Sequence, residues 1–119
     1  MDQLWSASTT MRNPERTQSF LQVAAELEGE VWTHETQCRL QTLLIQRRFY
    51  VPTADGLTHT QLELLGDYSR QMTYDEARDI FDSKGFTDPP MRGRTSFSPL
   101  VKLGLATLDR ENRVRITEL

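Results

Sequence analysis

Residues 91–119 gather the side chains best suited to holding nucleic acid. Arg92 and Arg94 flank Gly93, and Thr95, Ser96 and Ser98 follow as short hydroxyl donors. Lys102 comes next, and Arg110, Arg113 and Arg115 complete the set. Six side chains in this stretch are Lys or Arg and three are Asp or Glu, a balance of +3. Residues 1–88 hold eight basic and fourteen acidic groups, so the overall net charge of −3 conceals a sharp split. A local excess of this kind points to nucleic acid more directly than net charge does. The guanidinium group can bridge O6 and N7 of guanine in the major groove. Gly93 carries no Cβ, which lets the backbone approach a phosphate.

Other chemistries find little support. Metal-dependent nucleases need an acid and then a second acid closely followed by Lys. The only similar string is Asp82-Ser83-Lys84, where a Lys at a helix C-terminus has an ordinary dipole explanation. Asp75-Glu76 reads as a first-turn pair. No Gly-rich phosphate loop, Ser/His/Asp set or HExxH string occurs. Cys38 is the single cysteine, and with His34 and His59 it makes no zinc cluster. The chain by itself reads as non-catalytic, with no cofactor or metal of its own. Arg47-Arg48 offers either a second phosphate contact or a solvated helix end. Trp5 and Trp32 read as core.

These side chains need elements to position them. Residues 4–10 are uncharged and β-branched toward their end, which predicts a strand. Asn13-Pro14 is an N-cap followed by Pro at the first helical position. The helix it opens carries Phe20, Leu21, Val23, Ala24 and Leu27 on one face and stops at Gly29. A second helix follows Thr33, with Leu40, Leu43, Leu44 and Phe49 as its stripe. Thr58 with Gln61 and Thr73 with Glu76 are capping-box pairs, each predicting a helix. Ala77, Ile80 and Phe81 form the buried stripe of the later one, and Phe86 can fold back past Gly85. Asp88-Pro89-Pro90 predicts an extended turn. Ser98-Pro99 then predicts a helix start, placing Thr95, Ser96 and Ser98 where free amides and the helix dipole favour phosphate. Residues 106–108 and 113–117 read as a hairpin around a turn at 109–112. Val114 and Ile116 face one side of it, and Arg113 and Arg115 the other.

The expected fold is mainly α with a small β component and a winged-helix element at the C-terminal end. It is one domain over 1–119: a strand plus two helices over 1–50, and the winged-helix part over 58–119. No apolar run approaches the ~20 residues of a membrane span. No secretory signal opens the chain, so a reducing cytoplasm is expected.

Trp5-Ser-Ala-Ser-Thr-Thr-Met-Arg-Asn-Pro-Glu-Arg16 resembles the opening of AlwI-type type IIS restriction endonucleases. Glu28-Gly-Glu-Val-Trp32, Leu44-Ile-Gln-Arg-Arg-Phe-Tyr50, Asp88-Pro-Pro-Met-Arg-Gly-Arg-Thr-Ser-Phe97 and Pro99-Leu-Val-Lys-Leu-Gly-Leu105 are similar to the same family. So is Arg115-Ile-Thr-Glu-Leu119. The resemblance implies a restriction-modification enzyme that reads a short asymmetric DNA site and cuts outside it. It implies a recognition region here, and a nuclease domain with its Mg²⁺ elsewhere, so the chain is expected to be a fragment or a truncated reading frame. It carries DNA contact to Arg92, Arg94, Ser96 and Ser98, and more weakly to Thr10, Arg12 and Asn13.

The expected partner is double-stranded DNA, not a membrane, and a monomer would fit one asymmetric site. Two other functions compete: a free-standing winged-helix regulator, dimeric on two half-sites, and a winged helix that binds protein.

Overall fold

The computed structural model describes residues 14–117, with side chains from Arg16 onward. Five helices and a hairpin follow one another: α1 (Pro14–Ala25), α2 (His34–Gln46), α3 (His59–Gly66), α4 (Tyr74–Ser83), α5 (Pro89–Lys102), β1 (Ala106–Leu108) and β2 (Val114–Ile116). The protein is therefore mainly helical with a small antiparallel sheet. The strand expected over 4–10, and with it Trp5, lies outside the described residues.

Local signals account for much of this. Phe20, Leu21, Val23, Ala24 and Leu27 are all buried, as their helical spacing requires. Both capping boxes form. The Thr58 hydroxyl accepts from the Gln61 amide and the Thr73 hydroxyl from the Glu76 amide, each at 3.1 Å, with the reciprocal side-chain bonds present. Gly85 takes φ 62° after α4, and the Phe86 ring returns to Phe81 with centroids 5.6 Å apart.

α2 lies at the centre. Leu40 and Leu44 join one apolar cluster with α1, Trp32, Phe97, Leu100, Ala106 and Val114. Cys38 and Ile45 join a second with Leu65, Met72, Ala77, Ile80 and Phe81. Burial pushes the Cys38 thiol pKa up, which keeps it an unreactive core group. Of the expected stripe, Leu43 and Phe49 are only partly buried, and Phe49 lies past the helix end. Thr36, Gln37, Gln41 and Thr42 are buried on the same helix. Thr36 Oγ1 donates to Val31 O at 2.7 Å and Thr42 Oγ1 to Cys38 O at 2.8 Å, so burial does not leave these hydroxyls unpaired.

The hairpin pairs Ala106 with Ile116, Thr107 with Arg115 and Leu108 with Val114. Ala106 and Val114 are buried while Thr107 and Arg115 are exposed, the alternation a half-buried hairpin needs. β2 also pairs on its other edge, with residues 29–32. Gly29 N donates to Val114 O (2.8 Å), Val114 N to Glu30 O (2.9 Å) and Trp32 N to Asn112 O (2.7 Å). An antiparallel bridge joins Val31 to Arg113. The sequence reading has no strand at 29–32, because so short a segment lacks alternation and its partner lies some eighty residues on.

Residues 88–104 depart furthest from the local sequence signals. Asp88-Pro89-Pro90 makes no extended turn. Asp88 is the N-cap residue, the two prolines open α5, and the helix runs without interruption through Ser98-Pro99 to Lys102. The fixed φ of proline suits the first helical turn, which explains the start. Pro99 costs the helix a hydrogen bond, and its ring restricts Ser98 before it. Burial offsets this. Gly93, Phe97 and Leu100 all bury on the inner side, and the Phe97 ring meets Trp32 with centroids 4.5 Å apart. An aromatic buried to this extent contributes about 2–3 kcal/mol, close to the ~3 kcal/mol that a mid-helix proline costs, and Leu100 adds to it.

Candidate nucleic-acid interface

Every candidate from Arg92 to Lys102 sits within α5. Arg92 and Arg94 do not precede the helix but lie within it, and Ser98 is not its cap. The anion anchor expected at Thr95, Ser96 and Ser98 therefore does not form, since mid-helix amides are already bonded. The true start of α5 is a weak anchor as well. Pro89 and Pro90 have no N–H to offer, and Met91 N already donates to Asp88 O at 3.0 Å.

The helix sorts these residues onto two faces. Arg92, Thr95, Ser98 and Lys102, spaced by three, three and four, are all exposed. Met91 and Val101 flank them, each 42% exposed. The other face packs on α2. A Cβ on Gly93 would lie 1.9 Å from the Gln37 carbonyl oxygen, so only glycine fits there. Gly93 does permit a close approach, but of a neighbouring helix. Arg94 donates to Gln37 Oε1 at 2.8 Å and to Asp88 Oδ2 at 3.0 Å. Ser96 Oγ donates to Gln41 Oε1 at 2.7 Å. The two glutamines stand one turn apart on α2, so Arg94 and Ser96 fix the register of the helix pair.

The basic face of the hairpin is largely compensated. Arg115 Nε donates to Asp109 Oδ2 at 2.9 Å. The other oxygen of Asp109 accepts from the amides of Glu111 (2.9 Å) and Arg113 (3.0 Å), which shapes the turn. The amide of Arg113 foremost, then the Arg115 guanidinium, hold the Asp109 carboxyl below its usual pKa. Asn112 closes the turn at φ 62°, a left-handed position that Asn tolerates. Arg113 is half-buried; it donates to Gly29 O at 2.9 Å and lies 3.5 Å from Glu111. Arg110, at the tip, is exposed and has no side-chain partner among the described residues. A groove of about 380 Å³ separates hairpin and helix, lined by Trp32, Arg94, Phe97, Ser98, Val101, Thr107 and Leu108.

Thr10, Arg12 and Asn13 lie outside the described residues. Arg47 and Arg48 both have structural partners. Arg47 holds Glu26 through two bonds at 2.6 and 2.9 Å. Arg48 donates to the carbonyls of Leu64, Leu65 and Asp67, the open end of α3. Lys84 does more than answer a helix dipole. Its side chain is 5% exposed, and its Nζ contacts Thr53 O, Thr53 Oγ1, Asp55 O and Asp55 Oδ1 at 2.7–3.2 Å, tying the 53–55 loop to α4. Sequence reasoning missed Gln37, Gln41 and Phe86 as groups that position α5 and its arginines. The available signal was a pair of glutamines one turn apart, next to Leu40 and Leu44 of the apolar stripe. Among the described residues no three His, Cys, Asp or Glu side chains are grouped to hold a metal ion. No family model, characterised protein or solved structure matches this chain.

Proposed function

We propose that this chain is a sequence-specific recognition domain for double-stranded DNA with a winged-helix arrangement. α2 and α5 form its helix pair, α5 enters the groove, and the β1–β2 hairpin is the wing. The observation that carries this reading is the outer stripe of α5: Arg92, Thr95, Ser98 and Lys102 align on one exposed face, and none has a hydrogen bond or ion pair from its side chain among the described residues. The pairing of residues 29–32 with β2 supports it, since it anchors the hairpin beside the helix. Lys102 and Arg110 would meet phosphates, and Arg115, half-exposed beside Thr107, would meet them from the wing. Arg94 and Ser96 position the helix. On the family resemblance, the domain serves a cytoplasmic type IIS restriction endonuclease reading a short asymmetric site, and the Mg²⁺-dependent cutting belongs to residues other than these.

Duplex binding measured against salt tests the reading. The three cations named predict a log–log slope of about −2.7. A flat slope, or no binding, would sink it. A dimer reading two half-sites about one turn apart would point instead to a regulator. One observation favours a protein partner: Val101 and Leu103, 42% and 53% exposed, sit at the end of α5 next to a compensated wing. Salt-independent binding of a protein, with no duplex affinity, would establish that second reading.

A further inference from the structure

Arg92 is held unlike the neighbouring arginines. Its guanidinium carbon lies 4.7 Å from the centroid of the Phe86 ring. Phe86 rests on Phe81, and Phe81 is 1% exposed in the core beneath α4. A core aromatic, a half-buried aromatic tilted 52° to it and a cation over the second ring thus form one line of contacts. A ring face attracts the cation without taking any of its N–H donors. The Arg92 side chain makes no hydrogen bond or ion pair among the described residues. Arg94, Arg113 and Arg115 by contrast spend donors on Gln37 and Asp88, on Gly29 and on Asp109. Arg92 gains nothing from its own helix either. It is the fourth residue of α5, at the positive end of the dipole, where a cation is disfavoured. Its position does suit contact with bases, because the N-terminal residues of a reading helix are those that reach base edges.

We propose that Arg92 is the specificity-determining side chain of α5, bonding O6 and N7 of one guanine in the major groove, and that Phe86 is its positioning residue. The inference rests on the duplex reading above. An unsupported arginine must give up rotamer freedom to make two bonds at once. The Phe86 shelf removes part of that loss before DNA arrives.

The test uses the whole chain. Selection from a random duplex library supplies the preferred duplex, and single-base-pair variants of it measure discrimination. Arg92→Lys keeps the charge and loses the planar fork. It should lower discrimination at one G·C pair about 10-fold and leave the salt slope unchanged. Phe86→Leu should lower the same discrimination by a smaller factor, again with the slope unchanged, and Phe86→Tyr should behave as wild type. Should Phe86→Leu destabilise the fold, the exposed Arg92→Lys and the conservative Phe86→Tyr still decide. Equal loss on every duplex in Arg92→Lys, or no loss, overturns the inference and leaves DNA binding standing. So does a wild-type chain that binds duplex steeply with salt yet prefers no sequence. A flat wild-type slope removes both.

Discussion

Arg92 and Arg94 stand two residues apart on α5 and meet different surroundings. Arg94 turns toward α2 and divides its donors between Gln37 and Asp88. Arg92 turns outward and lies over the Phe86 ring with its donors uncommitted. The same contrast divides the whole helix. Gly93, Ser96, Phe97 and Leu100 join it to the fold, while Thr95, Ser98 and Lys102 face solvent. A basic, hydroxyl-rich string is thus two sets of residues interleaved at helical spacing. Arginine content alone does not separate them; the phase of the helix does.

The inner face should yield the largest effect. Gly93→Val places a side chain where even a Cβ would lie 1.9 Å from a backbone oxygen of α2. A loss of about 3 kcal/mol or more is expected in urea unfolding, since backbone must move. A loss under 1 kcal/mol would mean that the two helices are not in close contact.

Arg94→Ala should come next, at about 1–2 kcal/mol, because it leaves the buried Gln37 amide oxygen without a donor. Arg92→Ala should change stability by less than about 0.5 kcal/mol, as exposed substitutions do, while weakening duplex binding. Reversed outcomes for the two variants would exchange their roles.

A smaller effect is expected from pH. Bonds to the amide of Arg113, to Thr73 and to Arg47 hold the carboxyls of Asp109, Glu76 and Glu26 below their usual pKa values. Groups lowered on folding stabilise the fold fully above the ordinary carboxylate range, and lose that effect as pH falls through the lowered values. The melting temperature should hold between about pH 7 and 5 and decline below about pH 4. A melting temperature that rises on acidification would contradict these pairings.

Ser98→Ala should do least. A helix N-cap would cost about 1 kcal/mol on this change. An exposed residue inside a helix should cost less than about 0.5 kcal/mol, or gain slightly from the propensity of Ala. A full capping loss would restore a helix beginning at Ser98.

What was legible in the sequence follows from the range of each signal. The α1 stripe, the Thr58 and Thr73 boxes and the 106–116 hairpin are set by residues within a few positions of one another, and each forms where its pattern lies. The start of α5 is not legible locally, because two signals compete. Asp88-Pro89-Pro90 suits a turn or a helix start, and Ser98-Pro99 suits a cap or a tolerated mid-helix proline. Packing of Phe97 on Trp32 chose between them. The candidate site was legible as a composition and not as a surface. Its residue types were visible, but Arg94 finds Gln37 57 positions away and Arg113 finds Gly29 84 positions away.

The amino-acid sequence by itself therefore determined a mainly helical chain, its capped helices, its C-terminal hairpin and the concentration of positive charge at residues 91–119. All are properties of short windows, in which propensity, capping and alternation act between neighbours. Only the tertiary structure decided that α5 runs unbroken from Pro89 to Lys102, that residues 29–32 pair with β2, and which arginines are spent on the fold. Those outcomes depend on surfaces brought together across the chain, where burial of Gly93, Phe97 and Leu100 outweighs what a proline or a serine prefers locally.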